Sequence, residues 1–87
     1  MSQEVPPPTN AILRRRPVET QTGYSRSTLY MRIAQGLFTK PVRLGTRTVG
    51  WPAAEVASLN AARIAGRSDR EIRALVKELE RARVHTS

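Results

Sequence analysis

The residues of this chain with the clearest chemical potential are its arginines. Fifteen of the 87 residues are Lys or Arg and seven are Asp or Glu, which gives a formal net charge of +8. From residue 12 to residue 47 there is a single acid, Glu19, and the basic residues are Arg14, Arg15, Arg16, Arg26, Arg32, Lys40, Arg43 and Arg47. The arginine guanidinium is planar and matches phosphate oxygens and guanine edges with paired hydrogen bonds. The first half of the chain is therefore predicted to bind a polyanion, whereas residues 48–87 are nearly balanced in charge.

The sequence contains few residues that could serve in catalysis or bind a metal. The sequence has no cysteine and one histidine, His85, which has no partner at the spacing of metal ligands. It also has neither a Gly-rich phosphate loop nor an obvious carboxylate pair. We therefore predict no enzymatic activity, no metal and no cofactor, with His85 at the surface. No run approaches the roughly 20 apolar residues of a membrane span, and no secretory signal is recognisable, so we expect a cytoplasmic protein without membrane contact.

Two short helices are predicted around the middle of the basic half. Pro17 suits the first turn of a helix and Gly23 its end, which predicts a first helix over 17–22. Ser25 is a suitable N-cap for a second helix over 26–35. Apolar residues recur along one face of that helix: Leu29, Ile33 and Leu37. Only Gly23 to Ser25 separate the two helices, and a turn this short predicts a helix-turn-helix whose second helix can enter a DNA major groove.

A change of period after the second helix predicts a β-hairpin. Apolar residues alternate from Phe38 to Leu44, residues 45–47 interrupt the pattern, and a second run extends from Thr48 to Trp51. Pro41 lies inside the first run and marks either an edge strand or a bulge. A hairpin directly after a helix-turn-helix is a wing. Trp51 is expected to anchor the wing to the core.

Two further helices are predicted after the wing. Pro52 begins the third helix and Gly66 ends it, and its buried stripe is expected to contain Val56, Leu59, Ile64 and either Ala62 or Arg63. Ser68 and Glu71 form a capping-box pattern at the start of a last helix over 69–84. The apolar stripe of the last helix consists of Ile72, Leu75, Val76 and Leu79. Three pairs on this helix are spaced to form ion pairs: Asp69 with Arg73, Glu78 with Arg81, and Glu80 with Arg83.

These elements predict a mainly α fold with a small β-hairpin, which is a winged helix-turn-helix with an additional C-terminal helix. Residues 1–11, which contain three consecutive prolines, are expected to form a disordered N-terminal arm. Residues 12–66 are expected to form the DNA-binding domain. Residues 67–87 are expected to form a separate amphipathic helix.

The predicted contacts with double-stranded DNA come from the second helix, the wing and the basic lead-in: Arg16, Ser25, Arg26, Ser27, Thr28, Tyr30, Arg32, Lys40, Arg43, Thr46 and Arg47. Arg26 or Ser27 could reach base edges, and Tyr30 and Arg32 are expected to contact phosphates. Some positions leave alternatives open. Ser25 and Thr28 could serve as helix caps, and Tyr30 could pack against the wing. Arg47 could enter a minor groove or lie along phosphates.

Four spaced motifs point to a known family. They are G-x-S-R-S-T-x-Y from Gly23, G-x-F-x-K-P-V-x-L-G from Gly36, R-x-V-G-W from Arg47, and the later pair Glu55-Val56. In these motifs the chain resembles the AlpA family of phage and mobile-element regulators, whose winged helix-turn-helix is akin to those of MerR-type DNA readers and excisionases. Two positions depart from the family pattern. Thr39 replaces a frequent proline, and Met31 replaces a frequent basic residue and so removes one possible phosphate contact.

The resemblance implies a role as an excisionase, which is a recombination directionality factor, as a transcriptional regulator of a mobile element, or as both. Such a protein would be associated with the nucleoid of a bacterial cell. Because one small domain covers a short site, we expect several copies on adjacent DNA sites, with an integrase as a possible further partner. An alternative is a protein-binding adaptor or inhibitor that acts through the stripe on the last helix. That stripe could serve self-association, bind an integrase or regulator, or pack on the chain's own core.

Overall fold

The fold is described by a computed structural model for residues 11–83. The elements in chain order are β1 (Ile12–Leu13), α1 (Arg15–Thr22), α2 (Arg26–Ala34), β2 (Val42–Arg43), β3 (Val49–Pro52), α3 (Ala53–Ile64) and α4 (Asp69–Ala82). The predicted fold class is confirmed, because a helix-turn-helix, a small antiparallel sheet and a C-terminal helix follow one another. Nearly all of the predicted N-terminal arm, the predicted end of the last helix at residue 84, and His85 lie outside the described residues.

Local capping signals determine where α1 and α2 meet. Gly23 adopts the left-handed conformation with φ 78°, and its N–H donates to the Glu19 carbonyl at 2.8 Å. The Ser25 side chain then accepts from the Thr28 N–H, as predicted for an N-cap. The first helix begins at Arg15 and not at Pro17. Pro17 is still tolerated, because the N–H groups of a helix's first turn have no partner within the helix.

The sheet has a third strand that the sequence did not predict. Its strand order is β1-β3-β2, and both pairings are antiparallel. The central strand approaches β1 closely at Gly50. A Cβ built there would lie 2.6 Å from the Ile12 Cγ2 and 3.0 Å from the Leu13 carbonyl oxygen. Glycine at this position therefore allows β1 to pair with the wing, which we define as residues 42–52.

The hydrophobic core lies between the helices and the inner face of the sheet. Its buried residues are Val18, Tyr24, Leu29, Leu37, Phe38, Trp51, Val56, Leu59, Ile72 and Val76. Trp51 is fully buried, and its indole N–H donates to the Thr39 carbonyl at 2.9 Å, which confirms its role as an anchor. In α3 it is Ala62 that packs against the core. The expectation for Ile64 was wrong, since its position at the end of α3 leaves it 87% exposed.

Helix α4 begins with the predicted capping box. The Glu71 N–H donates to the Ser68 hydroxyl at 3.2 Å, and the Ser68 N–H donates to the Glu71 carboxylate at 2.9 Å. The hydrogen bond that the Ser68 N–H donates, and after it one from the Ser68 side chain, lower the pKa of the Glu71 carboxylate. Among residues 11–83, no helix is both long enough and apolar enough to cross a membrane.

Two of the three predicted ion pairs on α4 are replaced by longer-range contacts. Glu78 and Arg81 lie 3.4 Å apart, as expected. In contrast, Arg83 pairs with the buried Glu55 of α3, and the Arg73 Nε donates to the Gln35 carbonyl. Local spacing favoured neighbours on the same helix, whereas packing of α4 across the domain brings other partners closer.

Candidate nucleic-acid interface

Helix α2 presents one continuous exposed face. We define the recognition face as its exposed residues, which follow helical spacing: Arg26, Ser27, Tyr30, Met31 and Ala34. The opposite side carries Leu29, which is fully buried in the core. The sequence correctly placed Arg26, Ser27 and Tyr30 on the outer surface. Met31 joins them with 48% exposure and adds a flexible apolar side chain between polar neighbours.

Ser25 and Thr28 are engaged in capping α2. The Thr28 N–H donates to the Ser25 hydroxyl at 3.2 Å, and the two hydroxyl groups lie 3.0 Å apart in a second hydrogen bond. The free N–H groups at the start of α2 and the positive end of its dipole lie at the same point. Capping is therefore the geometry of Ser25 in this structure, and Thr28 is half-buried beside it.

Tyr30 joins the recognition face to the wing. Its ring meets that of Trp51 edge to face, with ring centres 6.3 Å apart and planes at 65°. Tyr30 nevertheless remains 39% exposed. The two alternatives stated for this residue are therefore compatible, because one edge packs on β3 while the rest of the side chain faces solvent. The contact holds α2 and the wing side by side.

Arg32 does not lie on the recognition face. It is half-buried, and its guanidinium lies 5.7 Å from the centre of the Tyr24 ring. The Arg32 Nε is buried without a hydrogen-bond partner. Arg26 and Tyr30 are four residues apart and so lie on the same face of α2, whereas Arg32 is six residues after Arg26 and lies on a different side of the helix. Its predicted phosphate contact therefore needs the side chain to extend around the flank of α2.

Arg63 is a cation near this flank that sequence reasoning did not assign to the site. It is exposed, and its guanidinium lies 4.8 Å from the centre of the same Tyr24 ring. Such a cation–π contact holds a long side chain in place without neutralising its charge. The sequence signal was ambiguous, because helical spacing allowed either Ala62 or Arg63 on the buried stripe. Tyr24 precedes the N-cap of α2, so Arg63 adds positive charge beside the helix-turn-helix.

The arginines of the lead-in and of the wing meet in one open depression. We call it the basic depression; it has a volume of about 280 Å³ and is lined by Arg14, Arg15, Arg16, Arg47 and Val49. Arg15 pairs with Glu19 at 2.5 Å. Arg14, Arg16 and Arg47 are exposed, and within residues 11–83 none of the three has an acidic partner. The pairing of Leu13 with Trp51 brings the arginines of the lead-in close to Arg47 of the wing.

The remaining predicted wing residues have different surroundings. Arg43 is exposed on β2, opposite Val49 of β3. Thr46 is exposed in the connection between the two strands. The side chain of Lys40 is also exposed, but both of its backbone polar groups are held by side chains of α4. All three side chains are therefore accessible to a ligand.

The apolar stripe of α4 packs on the chain's own core. Ile72 and Val76 are each only 5% exposed, and Leu75 and Leu79 are partly buried against the same core. Of the alternatives stated for these four residues, packing within the chain is the arrangement observed. The face is consequently covered, and self-association or partner binding through it would require α4 to leave the domain.

Five of the six acids in residues 11–83 are engaged in contacts within the chain. Glu55 is 5% exposed and binds Arg83 with two hydrogen bonds of 2.7 Å. The hydrogen bonds to Glu55 raise the pKa of Arg83 above its already high ordinary value. Within residues 11–83, no acid lies within ion-pair distance of Arg26, Arg43 or Arg47. A cluster of unpaired arginines is suited to a ligand that carries repeated negative charge.

Comparison with known proteins identifies sequences that are similar to part of this chain. A 45-residue segment is 49% identical to the uncharacterized protein ORF88 of Enterobacteria phage P4, and the match covers 52% of this chain and 51% of that protein. The chain thus matches about half the length of this curated relative. No solved structure matches significantly. The sequence profile described as "Prophage CP4-57 regulatory protein (AlpA)" matches residues 11–64, which include β1 to α3. The chain therefore belongs to the AlpA family of prophage regulatory proteins.

Proposed function

We propose that this protein is a sequence-specific double-stranded DNA-binding regulator of a phage or other mobile element. The observation that carries the proposal is the contact of Tyr30 with Trp51, which aligns the recognition face with the wing. The wing in turn brings Arg47 to the basic depression. A short helix beside a cationic hairpin is the arrangement with which winged helix-turn-helix proteins dock on a duplex.

In this proposal the first turn of α2 enters the major groove. Arg26 and Ser27 lie at its start and are exposed, so they reach base edges first. Met31 provides an apolar surface that suits contact with a thymine methyl group. The basic depression and Arg43 bind phosphates and fix the orientation of the protein on the duplex. Lys40, Thr46 and Arg16 contribute to the same backbone contacts.

The salt dependence of binding tests this mechanism. Affinity is measured by fluorescence anisotropy on the duplex that flanks the protein's own gene, between 50 and 300 mM salt. The log-log slope should correspond to roughly 4 to 7 released counterions. Arg26→Ala should weaken specific binding by about tenfold or more. Arg70→Ala is the matched control, because Arg70 is also exposed but lies on α4. Binding that ignores salt, or equal losses in the two variants, would contradict the mechanism.

At the finer level we propose that the protein is an excisionase, or recombination directionality factor, which also regulates transcription. Several copies would bind adjacent sites near an attachment region and shape the DNA for an integrase. Membership of the AlpA family supports a regulatory role, and the small size of the domain supports the need for several copies. A footprint with several adjacent sites, together with loss of excision when the gene is deleted, would support this role. A single promoter operator with unchanged excision would restrict the protein to transcription.

A further inference from the structure

Helix α4 holds both backbone polar groups of the residue that leads into the wing. The Lys40 N–H donates to the Glu80 carboxylate at 2.9 Å, and the Lys40 carbonyl accepts from the Arg83 Nη2 at 2.6 Å. Lys40 stands two residues before β2, beyond any regular element. Without α4, its N–H and carbonyl would depend on water. The path of the chain into the wing is therefore set by two side chains of one helix.

The same helix also fixes the end of α2. The Arg73 Nε donates to the carbonyl of Gln35, the C-cap residue of α2, at 2.8 Å. The Arg73 side chain lies over Gly36, whose φ of 77° turns the chain away from the helix. Residues 35–40, which connect α2 to the wing, are thus held by α4 at both ends.

A buried ion pair links this connection to the exit of the wing. Arg83 grips the Glu55 carboxylate with two hydrogen bonds of 2.7 Å while it also binds the Lys40 carbonyl. Glu55 lies in the first turn of α3, directly after β3. One guanidinium therefore joins the chain just before the wing to the chain just after it.

We propose that α4 is a brace that fixes the wing relative to the recognition face, and that Glu80 and Arg83 are positioning residues for DNA binding. The expected effect on DNA affinity rests on the proposed function, whereas the position of the wing relative to α2 is a property of the free protein. The brace makes α4 a component of the DNA-binding domain, although the family match ends at residue 64. A helix that only covered the core would need Ile72 and Val76 but neither polar contact to Lys40.

The chain offers controls of matched charge for both residues. Glu78 and Arg81 are exposed neighbours on α4, and within residues 11–83 their side chains form an ion pair only with each other, at 3.4 Å. Glu78→Ala therefore removes the same charge as Glu80→Ala, and Arg81→Met removes the same charge as Arg83→Met. Such an exposed pair contributes little to stability. Differences within each matched comparison report the contacts with Lys40 and not the net charge.

The geometric part is tested without DNA by distances between spin labels. The chain contains no cysteine, so Met31→Cys on α2 and Thr46→Cys in the wing give two unique labelling sites. Glu80→Ala and Arg83→Met should broaden the distance distribution measured by pulsed electron resonance, whereas Glu78→Ala and Arg81→Met should leave it narrow. Glu80→Ala keeps the Glu55 ion pair, so it decides the question if Arg83→Met does not fold. Narrow distributions in all four folded variants would overturn the brace.

The functional part is tested by affinity for a duplex that the wild-type protein binds. Glu80→Ala should weaken binding about five- to tenfold, which corresponds to loss of one or two phosphate contacts, while Glu78→Ala should change it less than about twofold. In an Arg47→Ala background the effect of Glu80→Ala should disappear, whereas in an Arg26→Ala background it should persist. Equal effects in both backgrounds would overturn the positioning role. If the wild-type protein bound no duplex, the proposed function would fail, and the label distances would still decide the brace.

Discussion

Substitution of Gly50 by alanine should separate β1 from the wing. The added Cβ would lie 2.6 Å from the Ile12 Cγ2 and 3.0 Å from both the Leu13 carbonyl oxygen and the Leu44 Cδ1. The two methyl groups can rotate away, but the carbonyl oxygen belongs to the backbone of β1. Since that oxygen cannot move alone, the strand must shift outward or the central strand must bend. We therefore expect β1 to lose its pairing with β3.

The expected loss of stability in Gly50→Ala combines the cost of crowding at this site with an entropy term. Forcing an extra methyl group into a tightly packed site costs about 1 to 3 kcal/mol. Replacement of glycine by alanine also lowers the entropy of the unfolded chain, which stabilises the folded state by about 0.4 to 1 kcal/mol. A net loss of about 1.5 kcal/mol corresponds to a decrease in Tm of roughly 6 to 12 °C for a domain of this size. The pairing also positions Arg14 beside Arg47, so DNA affinity should fall with stability.

Three measurements follow the change. Thermal unfolding by circular dichroism gives Tm, and fluorescence anisotropy gives affinity for the duplex. Hydrogen exchange reports the pairing directly, because the Ala53 N–H donates to the Ala11 carbonyl at 2.8 Å, just beyond β1. In Gly50→Ala the Ala53 amide should exchange faster, while Leu29 in the core stays protected.

Gly45→Ala provides the control. It is also a glycine of the wing, but its added Cβ would lie 3.8 Å from the Thr48 Cβ, which is an ordinary contact. Its φ is not positive either, so alanine should leave Tm unchanged or slightly raised. If Gly50→Ala kept a wild-type Tm and slow exchange at Ala53, the close approach would not constrain the sheet, and our account of the basic depression would lose its support.

Four further outcomes are expected. Ser68→Ala should lower the free energy of unfolding by about 1 kcal/mol in chemical denaturation, because α4 loses its N-cap. The pKa of Glu71 is lowered in the folded state by its hydrogen bonds with Ser68. The ionised Glu71 carboxylate should therefore stabilise the fold above the unfolded-state pKa of about 4.3, and this stabilisation should be lost as pH falls through the folded-state pKa. The difference in Tm between the wild type and Glu71→Gln should accordingly shrink in acid. Arg83→Met should cost about 3 kcal/mol, because it leaves the Glu55 carboxylate buried without its partner, and denaturation of Glu55→Gln/Arg83→Met should show partial recovery. Arg63→Ala should reduce the log-log salt slope of duplex binding by about 0.9, and an unchanged slope would exclude a phosphate contact there.

Features that depend on neighbouring residues were predictable from the sequence. Gly23, Ser25 and the pair Ser68 and Glu71 determine helix ends through hydrogen bonds over three or four residues, and all lie where predicted. Helical spacing likewise placed Arg26 and Tyr30 on the exposed face of α2. The fold class followed from these local signals because each element is short and three of the helix ends carry a capping residue that the sequence reveals.

Features that depend on distant residues were not predictable. Strand β1 has two residues, too few for a period to appear, and it exists because β3 offers a free edge and a glycine. Arg83 was assigned to Glu80 by helical spacing, yet it reaches Glu55, 28 positions earlier. The lead-in arginines and Arg47 come together in the basic depression because of the same unpredicted strand. The residues of the candidate site could thus be named from the sequence, but not their grouping.

The use of acidic residues connects stability with the proposed function. Glu19, Glu55, Glu71, Glu78 and Glu80 each bind a partner within residues 11–83, and four of them contact α3 or α4 or lie there. Because these carboxylates are engaged elsewhere, none neutralises the recognition face or the wing. Repulsion among the interface arginines is then relieved only by solvent ions or by a polyanionic ligand. It follows that a duplex should raise the Tm of this protein more at low salt than at high salt, since binding replaces the counterions that screen those charges.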